Sequence, residues 1–285
     1  MLKTRKISPA IGAEVLNGDL SGGLTGALAD AIHDALMQHL VLFFRGTDIT
    51  PRAHLDLARA FGDIDAPHPL YASVEGFPNI VRLENGAGNP PDTDAWHTDL
   101  TFKAEQPFAS ILVARALPDC GGDTLWSSCY AAYDRLGDGI KRDLAGLSAV
   151  HDMGDFRNSV GQDRDDASGS ERLNAGMGRF GHQIRPLIGT HPVTGRKYLN
   201  FNESFVSHIM GMTTNRGNLL KSFLADHMNR PEDQLRWRWR VGDVAIWDNR
   251  VTMHYAVSDY LPQRRCMHRV TVLRDRRTPP PRDPS

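Results

Sequence analysis

Two residues in this sequence, His97 and Asp99, have the types and the spacing of metal ligands. On an extended backbone, side chains two apart point to the same side, so an imidazole and a carboxylate could reach one ion. The motif alone carries little weight, because 12 His and 34 acidic residues in 285 give about 1.4 chance matches. A second match, His54 and Asp56, lies where we predict a helix, on which residues two apart do not face each other.

A distant histidine could complete the metal site. His254 lies in the run Trp247–Ala256, just after a predicted strand. With His97 and Asp99 it would give two histidines and one carboxylate, a ligand set typical of non-haem Fe(II). This set leaves positions on the metal open for other molecules.

Two arginines near the end of the chain could bind anions. A strand over Gln263–Thr271 would place Arg265 and Arg269 on one face. Guanidiniums this close would repel unless each has an anion, and arginine binds carboxylate or sulfonate through two parallel hydrogen bonds. For this segment alone, a solvated basic strand face is the simpler explanation.

The elements that must position these residues are of mixed type. Apolar spacing predicts helices over 24–40, 50–61 and 218–228, and apolar runs predict strands at 41–44, 244–247 and 270–272. Alternation over 234–241 predicts another strand. Short strands in the middle and at the end, with helices mostly early, indicate an α+β fold with an antiparallel barrel or jelly-roll core and flanking helices. We predict one domain over 1–273 and a Pro/Arg-rich tail over 274–285.

The composition excludes several classes of protein. The formal net charge is −1, with 40% hydrophobic and 24% charged residues, which argues against a polyanion binder. No apolar stretch approaches the roughly 20 residues that span a bilayer, and the N-terminus lacks a signal-peptide core. The three cysteines have no metal-motif spacing and fit a reducing cytoplasm. We therefore expect a cytoplasmic protein that binds neither nucleic acid nor membrane.

Four segments together resemble the Fe(II)/2-oxoglutarate dioxygenases of the taurine dioxygenase family. They are WHTDLTF, GGDTLW, WDNRVTMHYA and DYLPQRRCMHRVT, in the family's order, within a similarity that runs from about residue 4 to 273. The resemblance implies a double-stranded β-helix (jelly-roll) core and Fe(II) held by His97, Asp99 and His254. It also implies that Thr124 and Arg265 bind the distal carboxylate of 2-oxoglutarate, with O₂ as the second co-substrate.

The resemblance extends to the substrate side. His68 and Tyr71 match residues on the sulfonate side of the family's pocket, and Arg269 matches its sulfonate-binding arginine. Phe205 matches an aromatic wall. Thr93 departs from the family pattern, because taurine enzymes commonly place an asparagine there near the substrate amine. We therefore expect a small aliphatic sulfonate substrate, taurine first, with release of sulfite, succinate and CO₂.

Other functions stay open at this point. An alkylsulfatase or an aryloxyalkanoate dioxygenase of the same superfamily shares the metal ligands and differs around the substrate. A jelly-roll binding protein without turnover has no need of both a metal and a co-substrate anchor, and a nucleic-acid demethylase would need a basic surface.

We further expect a homo-oligomer, a dimer or tetramer as is common in the family, and a mobile loop over 161–179 that acts as a lid.

Overall fold

The computed structural model describes residues 2–20, 24–68, 71–91, 95–153 and 181–278. The helices in these ranges are α1 (Gly26–His39), α2 (Pro51–Phe61), α3 (Cys129–Arg135), α4 (Asp138–Leu144) and α5 (Thr214–Met228). The strands are β1 (Thr4–Lys6), β2 (Ala13–Val15), β3 (Val41–Phe44), β4 (Gly62–Ile64), β5 (Ser73–Val74), β6 (Phe77–Asn85), β7 (Ala109–Ala116), β8 (Thr124–Ser128), β9 (Ser148–His151), β10 (Gln183–Pro186), β11 (Ile188–Thr190), β12 (Lys197–Leu199), β13 (Val206–Ile209), β14 (Gln234–Trp237), β15 (Val244–Asp248), β16 (Thr252–Ala256) and β17 (Arg265–Asp275).

Two of the four sheets among the described residues form the frame of the molecule. The larger has nine strands in the order β1-β2-β3-β15-β7-β17-β6-β5, with β4 also paired to β17. The smaller has three strands in the order β14-β8-β16. Apart from the parallel pair β2–β3, the neighbours in both sheets are antiparallel. Neighbouring strands such as β15 and β7 are far apart in sequence, as in a jelly roll.

A core of aromatic side chains fills the space between the two sheets. Phe43 on β3 stacks on Trp237 of β14 with ring centroids 3.9 Å apart, and it meets Trp126 of β8 edge-on at 5.3 Å. Trp126 also contacts Trp247 of β15 at 5.7 Å. Because these contacts join the large sheet to the small one, the sheets face each other across this core. The predicted α+β fold with a jelly-roll core is confirmed.

Helices α1 and α2 cover the other face of the large sheet. Their apolar residues, among them Ile32, Leu36, Leu57 and Phe61, are buried in a second core with the outward residues of the sheet strands. Helix α2 begins at Pro51, where the sequence predicts. The residues before the two helices, Thr25 and Thr50, each accept a hydrogen bond from the backbone N–H three residues on. In the part of the chain that the structure describes, no helix is long and apolar enough to cross a membrane.

Three boundaries differ from the sequence prediction. The strand predicted over 234–241 ends at Trp237, because the chain turns away before Gly242, and α5 begins at Thr214, earlier than the apolar spacing shows. Strand β17 continues to Asp275, and Arg276 and Arg277 then pair with Asp30 of α1. Residues 274–278 of the predicted tail are therefore packed, and 279–285 lie outside the described residues. The division into one domain and a tail stays a prediction.

Candidate metal and co-substrate site

An isolated β-bridge brings the two candidate histidine ligands together. The backbone N–H of His97 donates to the carbonyl of His254 at 3.0 Å, and the N–H of His254 donates back at 2.8 Å. His254 lies on β16 of the small sheet, so the bridge fixes the loop that carries His97 to that sheet. The ring centroids are 4.1 Å apart.

Asp99 reaches the same centre from the start of a turn. The chain turns after Thr98, and Leu100 has a left-handed φ of 54°. The turn follows the His97–Asp99 pair, and both side chains reach one point. Asp99 Oδ1 lies 3.7 Å from His97 Nε2 and 3.8 Å from His254 Nε2.

These three side chains could hold a divalent metal. One ligand atom from each lies within 4.8 Å of the others, and all three residues are buried. His97 Nδ1 lies 2.8 Å from the carbonyl of Ala95, so this nitrogen donates and the lone pair is left on Nε2, which faces Asp99. Burial, together with His97 nearby, lowers the pKa of His254 to about 3, so its imidazole is neutral as a metal ligand must be. The donor set fits a facial triad of the non-haem Fe(II) type.

The Asp99 carboxylate is held in its charged form by its neighbours. Burial opposes ionisation, but the Arg269 guanidinium, helped by the Ser110 hydroxyl, holds the pKa of Asp99 well below its usual range. Arg269 Nη1 donates to Oδ1 at 3.0 Å, and Ser110 Oγ donates to Oδ2 at 3.0 Å. The carboxylate is thus ionised and has a donor on each oxygen.

Two residues at this centre were missed by the sequence analysis. Ser110 is a single hydroxyl in the apolar strand β7, and Asn249 follows β15 in the WDNR run. Asn249 hydrogen-bonds the backbone of Asp99 through both ends of its side-chain amide. A polar residue within a buried strand was the signal for Ser110. Nothing in the sequence marks which backbone Asn249 would contact.

The predicted 2-oxoglutarate residues, Thr124 and Arg265, contact each other. Arg265 begins β17 and is 5% exposed. Its Nε donates to the carbonyl of Gly122 at 2.9 Å, and its Nη2 donates to Thr124 Oγ1 at 3.2 Å. The indole N–H of Trp239 also donates to Thr124 Oγ1, at 3.0 Å. Burial lowers the pKa of Arg265 but leaves it charged at neutral pH, so it is a buried cation suited to a carboxylate.

Most of the predicted substrate residues lie around the metal ligands. The backbone N–H of Tyr71 donates to His68 Nδ1 at 3.2 Å, so the proton of neutral His68 is on Nε2, and the two rings are 4.7 Å apart. Burial, with Arg269 nearby, lowers the pKa of His68 to about 3. Phe205 meets the His97 ring edge-on at 6.4 Å. Thr93 and the predicted lid over 161–179 lie outside the described residues.

The second His-x-Asp match in the sequence has a structural role. His54 is buried in α2, where its Nε2 lies 3.1 Å from the carbonyl of Ile111, and it takes no part in the metal cluster. The second His-x-Asp match is therefore not a ligand pair, as predicted from its helix.

Arg265 and Arg269 are both buried on the inner face of β17, so the solvated-face interpretation of that segment is wrong.

Comparisons with known proteins identify the family of this chain. The family model described as "Taurine catabolism dioxygenase TauD, TfdA family" matches residues 3–271. An alpha-ketoglutarate-dependent sulfate ester dioxygenase of Pseudomonas putida is 36% identical over 272 residues, which cover 95% of this chain and 89% of that protein. An alkylsulfatase of Acinetobacter baylyi is 35% identical over 277 residues, with 95% and 84% of the two chains covered. A crystal structure of a taurine dioxygenase from Burkholderia xenovorans has a TM-score of 0.81 at 30% identity, covering 96% of this chain and 90% of that chain.

Proposed function

The chain belongs to the TauD/TfdA family of 2-oxoglutarate-dependent dioxygenases, and on this basis we propose that it uses Fe(II) to oxidise a small organic sulfate ester or sulfonate. Alkyl sulfate esters are the first substrate class that we propose. Taurine is the second. The proposal assigns His97, Asp99 and His254 to the metal, Thr124 and Arg265 to 2-oxoglutarate, and His68, Tyr71, Thr93, Phe205 and Arg269 to the substrate.

The metal residues support an iron site with open positions. Fe(II) held by two imidazoles and one carboxylate supplies redox chemistry toward O₂ and leaves room for 2-oxoglutarate. The protein itself orients the ligands, because the backbone bridge fixes both histidines relative to each other. The buried aromatic residues beside them, among them Trp247 with its ring 5.0 Å from His254, exclude water from the reacting groups.

The co-substrate residues support binding of a dicarboxylate. Arg265 is a buried cation whose contacts to Gly122 and Thr124 use only part of the guanidinium. A carboxylate can accept from the remaining N–H groups of Arg265 and from the Thr124 hydroxyl. The distal carboxylate of 2-oxoglutarate would satisfy this buried charge.

A single observation carries the choice of an anionic substrate. Arg269 is 7% exposed and lies beside the metal ligands, and its Nε has no acceptor among the described residues. A buried charged N–H without a partner costs free energy, so the site is complete only when an anion accepts from it. Neutral His68, with its proton on Nε2, is a second donor on that side. Sulfate esters and sulfonates both present three sulfonyl oxygens and one negative charge, which this pair of donors suits.

Two observations order the substrate classes. The two curated relatives at 35–36% identity are named for sulfate esters, and Thr93 replaces the asparagine that taurine enzymes commonly place near the amine. Both favour an alkyl sulfate over taurine. The similarity to a taurine dioxygenase structure, together with the family resemblance at His68 and Tyr71, keeps taurine as the second candidate.

The reaction products distinguish these classes. Oxygen insertion next to the sulfate oxygen gives an unstable product whose C–O bond breaks, so an alkyl sulfate, 2-oxoglutarate and O₂ yield an aldehyde, sulfate, succinate and CO₂. A sulfonate breaks its C–S bond and releases sulfite instead. We therefore propose to measure succinate, sulfate and sulfite with hexyl sulfate, hexanesulfonate, taurine and phenoxyacetate. Succinate formation stimulated only by phenoxyacetate would overturn the substrate assignment.

A matched pair of variants tests the metal assignment. His97→Ala should abolish Fe(II)-dependent O₂ uptake with 2-oxoglutarate, whereas His208→Ala, at an exposed histidine far from the ligands in sequence, should leave it intact. Uptake that persists in His97→Ala would show that the triad is not the metal site. If the unaltered protein shows no uptake at all, the binding-protein alternative is favoured.

Light scattering of the same preparation tests the expected dimer or tetramer.

A further inference from the structure

The backbone around Asp99 lacks the support that the two histidines have. His97 and His254 are fixed by the bridge hydrogen bonds, but Asp99 lies in a turn outside any strand, next to the left-handed Leu100. A ligand on an irregular segment must be held by other groups, because metal affinity depends on placement to within roughly 0.5 Å.

The side chain of Asn249 makes the backbone hydrogen bonds to Asp99 that a neighbouring strand would otherwise make. Its Oδ1 accepts from the backbone N–H of Asp99 at 2.9 Å, and its Nδ2 donates to the backbone carbonyl of Asp99 at 2.9 Å. The same Nδ2 donates to the carbonyl of Pro107 at 3.2 Å, and the backbone N–H of Asn249 donates to Phe108 at 2.8 Å. Asn249 is fully buried, and turning its amide over would break all three side-chain contacts.

Ser110 fixes the orientation of the carboxylate itself. Its hydroxyl donates to Asp99 Oδ2 at 3.0 Å from the rigid strand β7, and it is fully buried. With Oδ2 held by Ser110, Oδ1, which also accepts from Arg269 Nη1 at 3.0 Å, is the oxygen that lies near both histidine nitrogens. The arrangement presents one carboxylate oxygen, not two, to a metal.

We propose that Asn249 and Ser110 are the positioning residues of the metal site, holding Asp99 as a ligand through one oxygen. Asn249 fixes the backbone of Asp99 and Ser110 fixes its carboxylate, and neither touches the metal. The inference rests on the proposed function, because it needs the triad to bind a divalent ion. Without these two residues, Asp99 can shift, or turn both oxygens to the ion and take a position that 2-oxoglutarate needs.

The test is equilibrium binding of Co(II), measured by competition with a chromophoric chelator, on the full chain. Asn249→Ala should raise the Kd for Co(II) about 10- to 100-fold. Asn200→Ala is the matched control, since Asn200 is also a buried asparagine that binds a backbone carbonyl, here Pro186 at 3.1 Å, without touching the triad. This control should change the Kd for Co(II) less than about twofold, even if it lowers the melting temperature as much as Asn249→Ala does.

Ser110→Ala provides the second variant if Asn249→Ala does not fold. We expect its Kd for Co(II) to rise about 10-fold and the visible spectrum of bound Co(II) to change, because the carboxylate is free to turn. In a chain that already carries Asp99→Ala, adding Asn249→Ala should change the Kd for Co(II) by less than about a further twofold. The reason is that Asn249 affects the metal only through Asp99.

The possible results separate this inference from the proposed function. If the unaltered protein binds Co(II) and His97→Ala does not, the metal site stands. An unchanged Kd and spectrum in both folded positioning variants would then overturn the inference alone. If His97→Ala binds Co(II) as the unaltered protein does, the metal site itself is wrong, and the inference falls with it.

Discussion

Two arginines four residues apart on β17 contact different groups at the site. Arg265 hydrogen-bonds Gly122 and Thr124, whereas Arg269 hydrogen-bonds the metal-ligand candidate Asp99. Both are buried on one strand face, so each can serve its own anion without a second basic element. The formal net charge of −1 therefore conceals a strong local positive charge.

Arg265→Ala should raise the KM for 2-oxoglutarate about 100-fold, because a buried charge-assisted pair with a carboxylate is lost. The Kd for a divalent metal should stay within about twofold, since Arg265 does not contact the triad in this structure. Steady-state kinetics and metal titration measure the two effects. Arg264→Ala is the control, because Arg264 is exposed and pairs with Glu84 instead of Gly122 and Thr124. An equal rise in KM in both variants would contradict the role of Arg265.

At the scale of elements, the loop before β8 shapes the surroundings of Arg265. Gly121 and Gly122 are both left-handed, and a Cβ on Gly122 would lie 3.1 Å from Arg265 Cδ. The two glycines allow the loop to pass close to the arginine and to offer the Gly122 carbonyl as an acceptor.

Gly122→Ala should therefore raise the KM for 2-oxoglutarate roughly 10-fold or more, because it displaces the Arg265 side chain. Gly146→Ala is a matched control for backbone strain. Gly146 is also left-handed, with φ 88°, but its Cβ would meet no atom within 4 Å. The control should lose stability and keep its KM. A similar KM in the two variants would show that the close approach to Arg265 is unimportant.

Helix α2 buries a histidine against the large sheet, which links stability to pH. Burial lowers the pKa of His54 from 6.5 to about 3. The unfolded chain binds a proton at His54 below pH 6.5 while the folded chain does not, so this group lowers stability as the pH falls from 6.5 toward 3. The loss is about 1.4 kcal/mol per pH unit within that range.

His54→Leu should remove this dependence. Between pH 7.5 and 5.5, the free energy of unfolding of the unaltered protein should fall about 1.4 kcal/mol more than that of the variant. Urea unfolding at the two pH values measures the difference. His208→Leu, at an exposed histidine, should keep the slope of the unaltered protein. Equal slopes for the unaltered protein and His54→Leu would contradict the assigned cause.

At the scale of the whole molecule, the sequence predicts more of the fold than of the contacts at the site. Helix α2 and strands β3 and β15 follow from apolar spacing and capping, which are local properties of the chain. The contact between Arg269 and Asp99 depends on how β17 lies against a turn 170 residues earlier, which no local pattern encodes. The resemblance to a family identified the residue types, but the turn at Leu100 had to come from the structure.

The candidate ligands come from both sheet systems, so a bound metal should stabilise the entire fold. His254 belongs to the small sheet, whereas Asp99 is tied through Ser110 to β7 of the large sheet. The unfolded chain does not hold these groups together, so a metal at 100 times its Kd should add about 2.7 kcal/mol to the free energy of unfolding.

For a chain of this length, that gain corresponds to a rise in melting temperature of about 4–5 °C, measurable by anaerobic thermal unfolding with and without Mn(II). Asp99→Ala should lose the rise, because the remaining histidines lack the charged ligand. Asp119→Ala, at an exposed aspartate outside the cluster, should keep it. A rise in melting temperature that persists in Asp99→Ala would mean that Mn(II) stabilises the protein at another place. Metal binding at this triad would then not account for the stabilisation of the two sheets.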